Sequence, residues 1–465
     1  MQPFRKTLLV LTATIIFLGP GFWASGERVA AAPGDVAGLA PTPPMGWNSY
    51  DAYCGDVTEQ EVKANAAYMV RHMARFGWKY VVVDYYWYFS HTQPGQGQEK
   101  WEYNMDEYGR LIPAPNRFPS AAGGQGFKPL ADYLHSNGLK FGIHIMRGIP
   151  RAAVEKNLPI LGTSAHAKDI VDAGNECNWS TAMYGVDLSK PAGQAYYDSI
   201  VALYAKWGVD YIKADDMSWA GKPARENYHG AEIGALHRAI EKSGRPIVLS
   251  LSPGPAPVDK HAHLATNANL WRISGDFWDN WDSLKKQFAL CRTWAPYIAP
   301  NHWPDADMLP LGRLRIRGYE DPERLTHFTP AEQRTHITLW AIFRSPLMMG
   351  GDLPTLDSAT LDLLTNPEVL GVDQHCTRNH ELFTRGNHVA WIADVPGSPD
   401  KYLAVFNLDD HATEEVTVRW NELSLGGKCQ VRDLWGKKDL GIVDAAFAPK
   451  IEPHGAGLYR VAPQR

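Results

Sequence analysis

From residue 44 to about 371 the sequence repeats one plan, an amphipathic helix followed by a short apolar strand, which confines the chain to a parallel α/β architecture. EQEVKANAAYMVRHMARFGW sets Val62, Ala66, Met69, Val70, Met73 and Phe76 on one helical face, and KYVVVDYYW follows as a strand. FKPLADYLHSNGLKFGIHIM repeats the plan, with Gly138 ending its helix. Helices around residues 196–207 and 231–243 lead into GVDYIKADD and RPIVLSLS, and LWRISGD, the YIAPN segment and ITLWAIFRSPLMMGGD come next. With PMGWNSY as the first, about eight strands alternate with helices, which favours a closed (β/α)8 TIM barrel over an open doubly wound sheet.

After roughly residue 372 the character changes. HVAWIADV, KYLAVFNL, EEVTVRW, QVRDLW and GAGLYRV are short alternating segments between turn residues, the pattern of an antiparallel β-sandwich. The expected layout is a catalytic barrel over 41–371 and a C-terminal β-sandwich domain over 372–465, at a length that exceeds one hydrophobic core. The stretch 89–126 follows a strand end and is rich in Gly, Pro, Tyr and Trp, so it is expected to wall the site.

Arg5 and Lys6, the apolar run LLVLTATIIFLG and small residues at 30–32 have the layout of a signal peptide over 1–32, with an uncleaved anchor as the alternative. The mature chain is therefore expected to be secreted or periplasmic, with no later stretch able to cross a bilayer. In such a compartment five cysteines permit two bridges. Cys54 with Cys177 and Cys376 with Cys429 are candidate pairs, and Cys291 sits in a helix that reads as buried.

The chemistry concentrates at two strand ends. GVDYIKADDM closes an apolar run on Lys213, Asp215 and Asp216, and NLWRISGD closes another on Arg272 and Asp276. Acids after a strand often cap a helix or pair with a lysine, but two such ends, each with a carboxylate and a fixed cation, suggest a paired-carboxylate site. Two carboxyls about 5 to 5.5 Å apart hydrolyse a glycosidic bond through a covalent intermediate. The 17 Trp, 20 Tyr and 15 Phe suit the stacking of sugar faces, and a net charge of −5 gives no field for nucleic acid.

PPMGWNSY, the VVVD strand end, GRLIPAPNRFPS with GLKFGIHI, KAD, RISGD, PDADMLPLG and LWAIFRSPLMMGGD together resemble, in order, the landmarks of glycoside hydrolase family 27. The resemblance runs from about residue 43 to 372 and implies a barrel followed by a β-sandwich, and a retaining exo-glycosidase for terminal α-D-galactosides of an oligo- or polysaccharide, with no cofactor. It makes Asp215 the nucleophile, Asp276 the acid/base, Lys213 a ligand of sugar hydroxyls and Arg272 a ligand of the C2 hydroxyl. Asp84 matches the first of two aspartates that bind the C4 and C6 hydroxyls, Trp47 an aromatic of the sugar pocket, and Asp307 a pocket aspartate with Asp305 two residues before it.

Four positions depart from that pattern. Tyr85 stands in place of the second aspartate, His144 in place of a tyrosine, and Met217 in place of a disulfide cysteine. Ser252 occupies the place of a residue that sorts a 2-hydroxyl from a 2-acetamido group. These changes keep β-L-arabinopyranosidase, α-N-acetylgalactosaminidase and isomalto-dextranase activities open. From another class, a metal-dependent barrel hydrolase would use His144, Asp215, Asp216 and the H-x-H pair His261 and His263, and a catalytically silent sugar-binding barrel is the third reading.

Overall fold

The computed structural model describes residues 38–91, 98–177, 179–219, 228–317 and 321–464, so the signal-like segment 1–32 lies outside the described residues. Eight short strands form one parallel sheet: β1 Met45–Asn48, β2 Tyr80–Val83, β3 Lys140–Met146, β4 Tyr211–Asp215, β5 Val248–Leu251, β6 Leu270–Arg272, β7 Trp303–Asp305 and β8 Leu347–Met349. They lie in the order β7-β6-β5-β4-β3-β2-β1-β8, each beside its sequence neighbour except β8, which pairs with β1. Leu309, just past β7, closes the ring: its N–H donates to the Met348 carbonyl at 2.8 Å and its carbonyl accepts from Gly350 N–H at 3.0 Å.

A helix follows every strand: α1 Glu59–His72, α2 Lys128–Ser136, α3 Pro191–Trp207, α4 Gly230–Ser243, α5 His261–Asn267, α6 Trp281–Trp294, α7 Pro330–Phe343 and α8 Pro367–His375. This coat buries the strands on both sides, so β2 reads YVVV with all four residues buried rather than alternating. α1 starts at a capping box in which Thr58 Oγ1 accepts from Glu61 N–H and the Glu61 carboxylate accepts from Thr58 N–H. It buries Val62, Ala66 and Met69 but leaves Val70 38% exposed, so the apolar face is narrower than its sequence suggests.

The seventh strand is WPD at 303–305 and not the YIAPN segment. YIAPN instead leaves a short 3-10 turn and reaches Asn301 at φ +67°, a conformation no barrel strand can hold, with only an isolated bridge from Ala299 to His302. Residues 98–126 fold over the C-terminal rim, pinned by Arg117, which is 6% exposed and donates to the carbonyls of Val57, Tyr86 and Phe89.

Beyond α8 the chain forms a six-stranded antiparallel sheet from β9 Thr377–Arg385, β10 His388–Asp394, β11 Lys401–Asn407, β12 Lys428–Asp433, β13 Lys438–Asp444 and β14 Ala456–Pro463, in the order β9-β10-β11-β14-β12-β13. Its inner face carries Val389, Trp391, Phe406 and Leu458 into the barrel's own hydrophobic core. Its outer face buries Leu403, Val405, Val431 and Val461 with Val416, Val418 and Trp420, beneath two short strand pairs that supply the second layer of the sandwich.

All five cysteines are buried free thiols, which corrects the expected disulfides. Cys54 Sγ is instead 3.3 Å from the Arg315 guanidinium, and Cys376 and Cys429 belong to separate cores. Among the described residues no helix is long and apolar enough to cross a membrane.

Candidate active site

The C-terminal ends of the barrel strands open on a cavity of about 580 Å³, within the range that holds a small ligand. Asp84, Tyr85, Lys213, Asp215, Arg272, Asp276 and Asp307 all line it. The two charged strand ends singled out in the sequence therefore face one space, although they are far apart in the chain.

Asp215 closes β4 and is held from three directions. Its Oδ1 accepts from the Ser252 hydroxyl at 2.9 Å and from the Asp216 N–H at 3.0 Å, and its Oδ2 lies 3.0 Å from His144 Nε2. A carboxylate only accepts, so the imidazole donates through Nε2. Burial alone would push the Asp215 carboxyl up, but the hydrogen bond and charge of His144, the Lys213 ammonium and the Ser252 hydroxyl outweigh it and hold it below the usual carboxylate range. The result is a fixed, ionised carboxylate on the cavity floor.

Lys213, two residues earlier on β4, donates to Asp84 Oδ2 at 2.9 Å. Burial works against its ammonium, yet Asp84, Asp215 and Asp307 raise its pKa, so it stays charged. Asp84 closes the hydrogen-bond set by accepting from Asn48 Nδ2 at 2.6 Å and from its neighbour's backbone N–H at 2.8 Å. Burial is outweighed here too, by Lys213 and His144, and the Asp84 carboxyl lies far below its ordinary value.

Across the cavity the Arg272 guanidinium contacts Asp307 Oδ2 at 2.6 Å and Asp276 Oδ1 at 3.3 Å. Asp307 is also fixed by the Phe277 N–H at 2.7 Å, and its own N–H donates to Asp305 Oδ1 at 2.9 Å. Asp305 is buried behind it, and burial, against the opposing charge of Arg272, pushes its carboxyl up to about 6. Asp276 differs from all of these, since its side chain is 70% exposed. A largely buried carboxylate and an open carboxyl thus line one cavity.

His144 and Ser252 are fully buried beneath the cavity and stand outside its lining; both hydrogen-bond Asp215, and the His144 ring also packs on Tyr85 at 4.9 Å. Trp47 also stands outside the lining; it is fully buried and donates Nε1–H to the Gly351 carbonyl at 2.9 Å. The aromatic that this loop contributes is Tyr50, three residues on, joined by Asp51, Trp101, Trp179, Trp219 and Trp278. Trp101 lies in the 89–126 stretch expected to wall the site; sequence reading missed the others, although Tyr50 and Asp51 carry the same signal as Asp84, a polar or aromatic group just past a barrel strand. Asp216 turns away, its φ of +60° directing the carboxylate onto Arg147 at 2.8 Å. His261 and His263 lie outside the lining on α5, where His263 Nδ1 is 2.6 Å from the Tyr228 hydroxyl, and the described residues hold no cluster able to bind a metal ion.

Comparison with known proteins agrees with this architecture. A family model described as α-galactosidase A matches residues 42–154 and 180–375, and one for the α-galactosidase C-terminal β-sandwich domain matches 385–461. The chain belongs to glycoside hydrolase family 27. Within it, the α-galactosidase of Cyamopsis tetragonoloba is 29% identical over 92% of this chain and 88% of its own length. The solved β-L-arabinopyranosidase of Geobacillus stearothermophilus superposes with TM-score 0.87 at 50% identity, over 91% of this chain and 97% of the other. A putative α-N-acetylgalactosaminidase from Bacillus halodurans follows at TM-score 0.82 and 43% identity, over 91% and 97%. The family-27 barrel and C-terminal antiparallel domain are therefore those of a glycoside hydrolase.

Proposed function

We propose that this chain is a retaining exo-glycosidase for terminal sugars of the galactose configuration, acting best on those without a C6 hydroxymethyl, that is, on β-L-arabinopyranosides. α-D-Galactosides, the substrates the family resemblance implies, become the slower class. In this reading Asp215 attacks the anomeric carbon while Asp276 protonates the leaving oxygen, and Asp276 then activates the water that releases the sugar. The geometry of Asp215 supports the nucleophile role: three hydrogen bonds fix it, and His144 and Lys213 keep it ionised. The exposure of the Asp276 carboxyl in the cavity lining supports the acid/base role, which needs access for a leaving group and for water.

The preference rests on one observation, the packing of Tyr85. The residue stands where the resemblance sets a second sugar-binding aspartate, and its ring stacks on Tyr86 with centroids 3.6 Å apart. Its hydroxyl is 3.1 Å from Ser180 Oγ and 3.3 Å from Gln98 Oε1, so it is engaged by the surrounding loops. A bulky ring there offers a C6 hydroxyl no carboxylate acceptor and little room. The identity to the Geobacillus stearothermophilus β-L-arabinopyranosidase supports the same choice.

Aryl glycosides decide it. Release from the β-L-arabinopyranoside should exceed release from the α-D-galactoside, and the reverse order would refute the preference while leaving the family intact. Asp215→Ala and Asp276→Ala should each lower kcat by several orders of magnitude, with azide restoring rate to the first alone. Proton NMR of the first-formed sugar should show the substrate's anomer. We also propose that residues 1–32 direct export, which cell fractionation with and without that segment would test.

A further inference from the structure

Asp51 is a carboxyl that the mechanism above leaves unused. It lies in the short helix Tyr50–Tyr53 that follows β1, is 4% exposed, and lines the cavity with Asp84, Lys213 and Asp307. Its Oδ2 is sealed from solvent and has no hydrogen-bond partner. That oxygen packs against Gly350, where a Cβ would stand 1.9 Å from it, so only glycine at 350 lets the carboxyl sit this way. Burying a carboxyl oxygen without a partner is costly; among the described aspartates only Asp51 and Asp373 do so, and of the two only Asp51 lines the cavity. Asp352 nearby accepts from the hydroxyls of Tyr53 and Thr355, and Asp279 from Arg324 and the His327 N–H.

Resting on the glycosidase reading, we infer that Asp51 is a further sugar-binding residue, which meets a ring hydroxyl of the bound sugar through its other carboxyl oxygen. The surroundings give this contact its character. Burial, reinforced by the Asp307 and Asp84 charges and opposed by Lys213 and Arg315, pushes the Asp51 carboxyl well above the usual range and favours its acid form. A neutral acid donates as well as accepts. The sugar then meets acceptors at Asp84 and Asp307, donors at Lys213 and Arg272, and at Asp51 a donor that carries no charge. A ring hydroxyl that gives its proton to one of the flanking carboxylates can accept from Asp51 on its other side. Asp51 is thereby a determinant of sugar specificity that adds no anionic charge beside the nucleophile.

Calorimetric binding of L-arabinose and D-galactose to the wild-type chain, Asp51→Asn and Asp51→Ala tests this without reference to turnover. Asp51→Ala should weaken binding roughly 10-fold. Asp51→Asn, which keeps a neutral donor in the same place, should recover most of the loss. The 2-, 3- and 4-deoxy sugars then locate the contact, since for one of them the wild type and Asp51→Ala should bind equally. A loss that is the same for all three deoxy sugars, an Asn variant as weak as Ala, or unchanged binding by Ala would each overturn the inference. If Asp51→Ala does not fold, Asp51→Ser replaces it under the same criteria. Turnover of aryl glycosides by the wild type is read separately, so a failure of the glycosidase reading remains distinguishable from a failure at Asp51.

Discussion

Two single side chains, Tyr85 in the proposed function and His336 in the core, each yield a prediction. Replacing Tyr85 by Asp restores a carboxylate beside Asp84, and the ratio of kcat/KM for the α-D-galactoside over the β-L-arabinopyranoside should rise about 10-fold or more. Competition between the two substrates measures that ratio directly. His336 is fully buried against Phe277, Phe328 and Trp340, and neither of its ring nitrogens has a partner. Burial lowers its pKa from 6.5 to about 3. The folded state therefore holds the ring neutral while the unfolded chain takes up a proton below its own pKa. Stability is unaffected above pH 6.5 and falls as pH drops toward 3, at about 1.4 kcal/mol per pH unit from this group. His336→Phe should flatten that acid limb in melting experiments from pH 7 to 4, and an unchanged slope would refute the account. Asp215, Asp276, Lys213 and Arg272 were legible because charge at the end of an apolar strand is rare. His336 was not, because nothing local in THITLW distinguishes a buried imidazole from an exposed one.

Among the elements, the strand and helix alternation was readable because the barrel strands are buried on both faces and the helices mostly on one, α7 being the exception, buried all round from Thr335 to Phe343. What failed did so for local reasons. YIAPN has apolar content but carries Asn301 at positive φ, whereas WPD, which does form the strand although it too holds a proline, looks like a loop. Two elements yield predictions. Thr58→Ala removes the side-chain half of the α1 capping box and should cost about 1 kcal/mol of stability without altering KM. Arg117→Met removes a buried guanidinium that ties Val57, Tyr86 and Phe89 together beneath the rim loop. With the Val57 and Phe89 carbonyls left unpaired, and that of Tyr86 keeping only the Phe89 N–H, the loss should be about 3 kcal/mol. KM should rise with it, because Gln98 and Trp101 on that loop line the cavity.

For the whole molecule, the decisive contact is between the barrel and the C-terminal sheet. Phe406 meets Phe288 of α6 edge-on at 4.9 Å, Trp391 meets Phe343 of α7 at 6.2 Å, and Arg432 grips Glu368 of α8 at 2.7 and 2.8 Å. The sequence announced a second domain by its alternating strands but not this merging, since alternation tells that a strand has two faces and not what each one meets. Scanning calorimetry should accordingly show one cooperative transition, and two resolved transitions would contradict the shared core. A chain ending at His375 should be poorly soluble, with Phe288 and Phe343 uncovered. The ring itself has a seam between β7 and β8, bridged by the two backbone hydrogen bonds of Leu309, where the chain leaves regular strand to aim Asp307 inward at φ +87°. Amide protons along that join should exchange with solvent sooner than those of β2 and β3, so gentle warming would blunt the enzyme by slackening its grip on Arg272 well before the barrel comes apart.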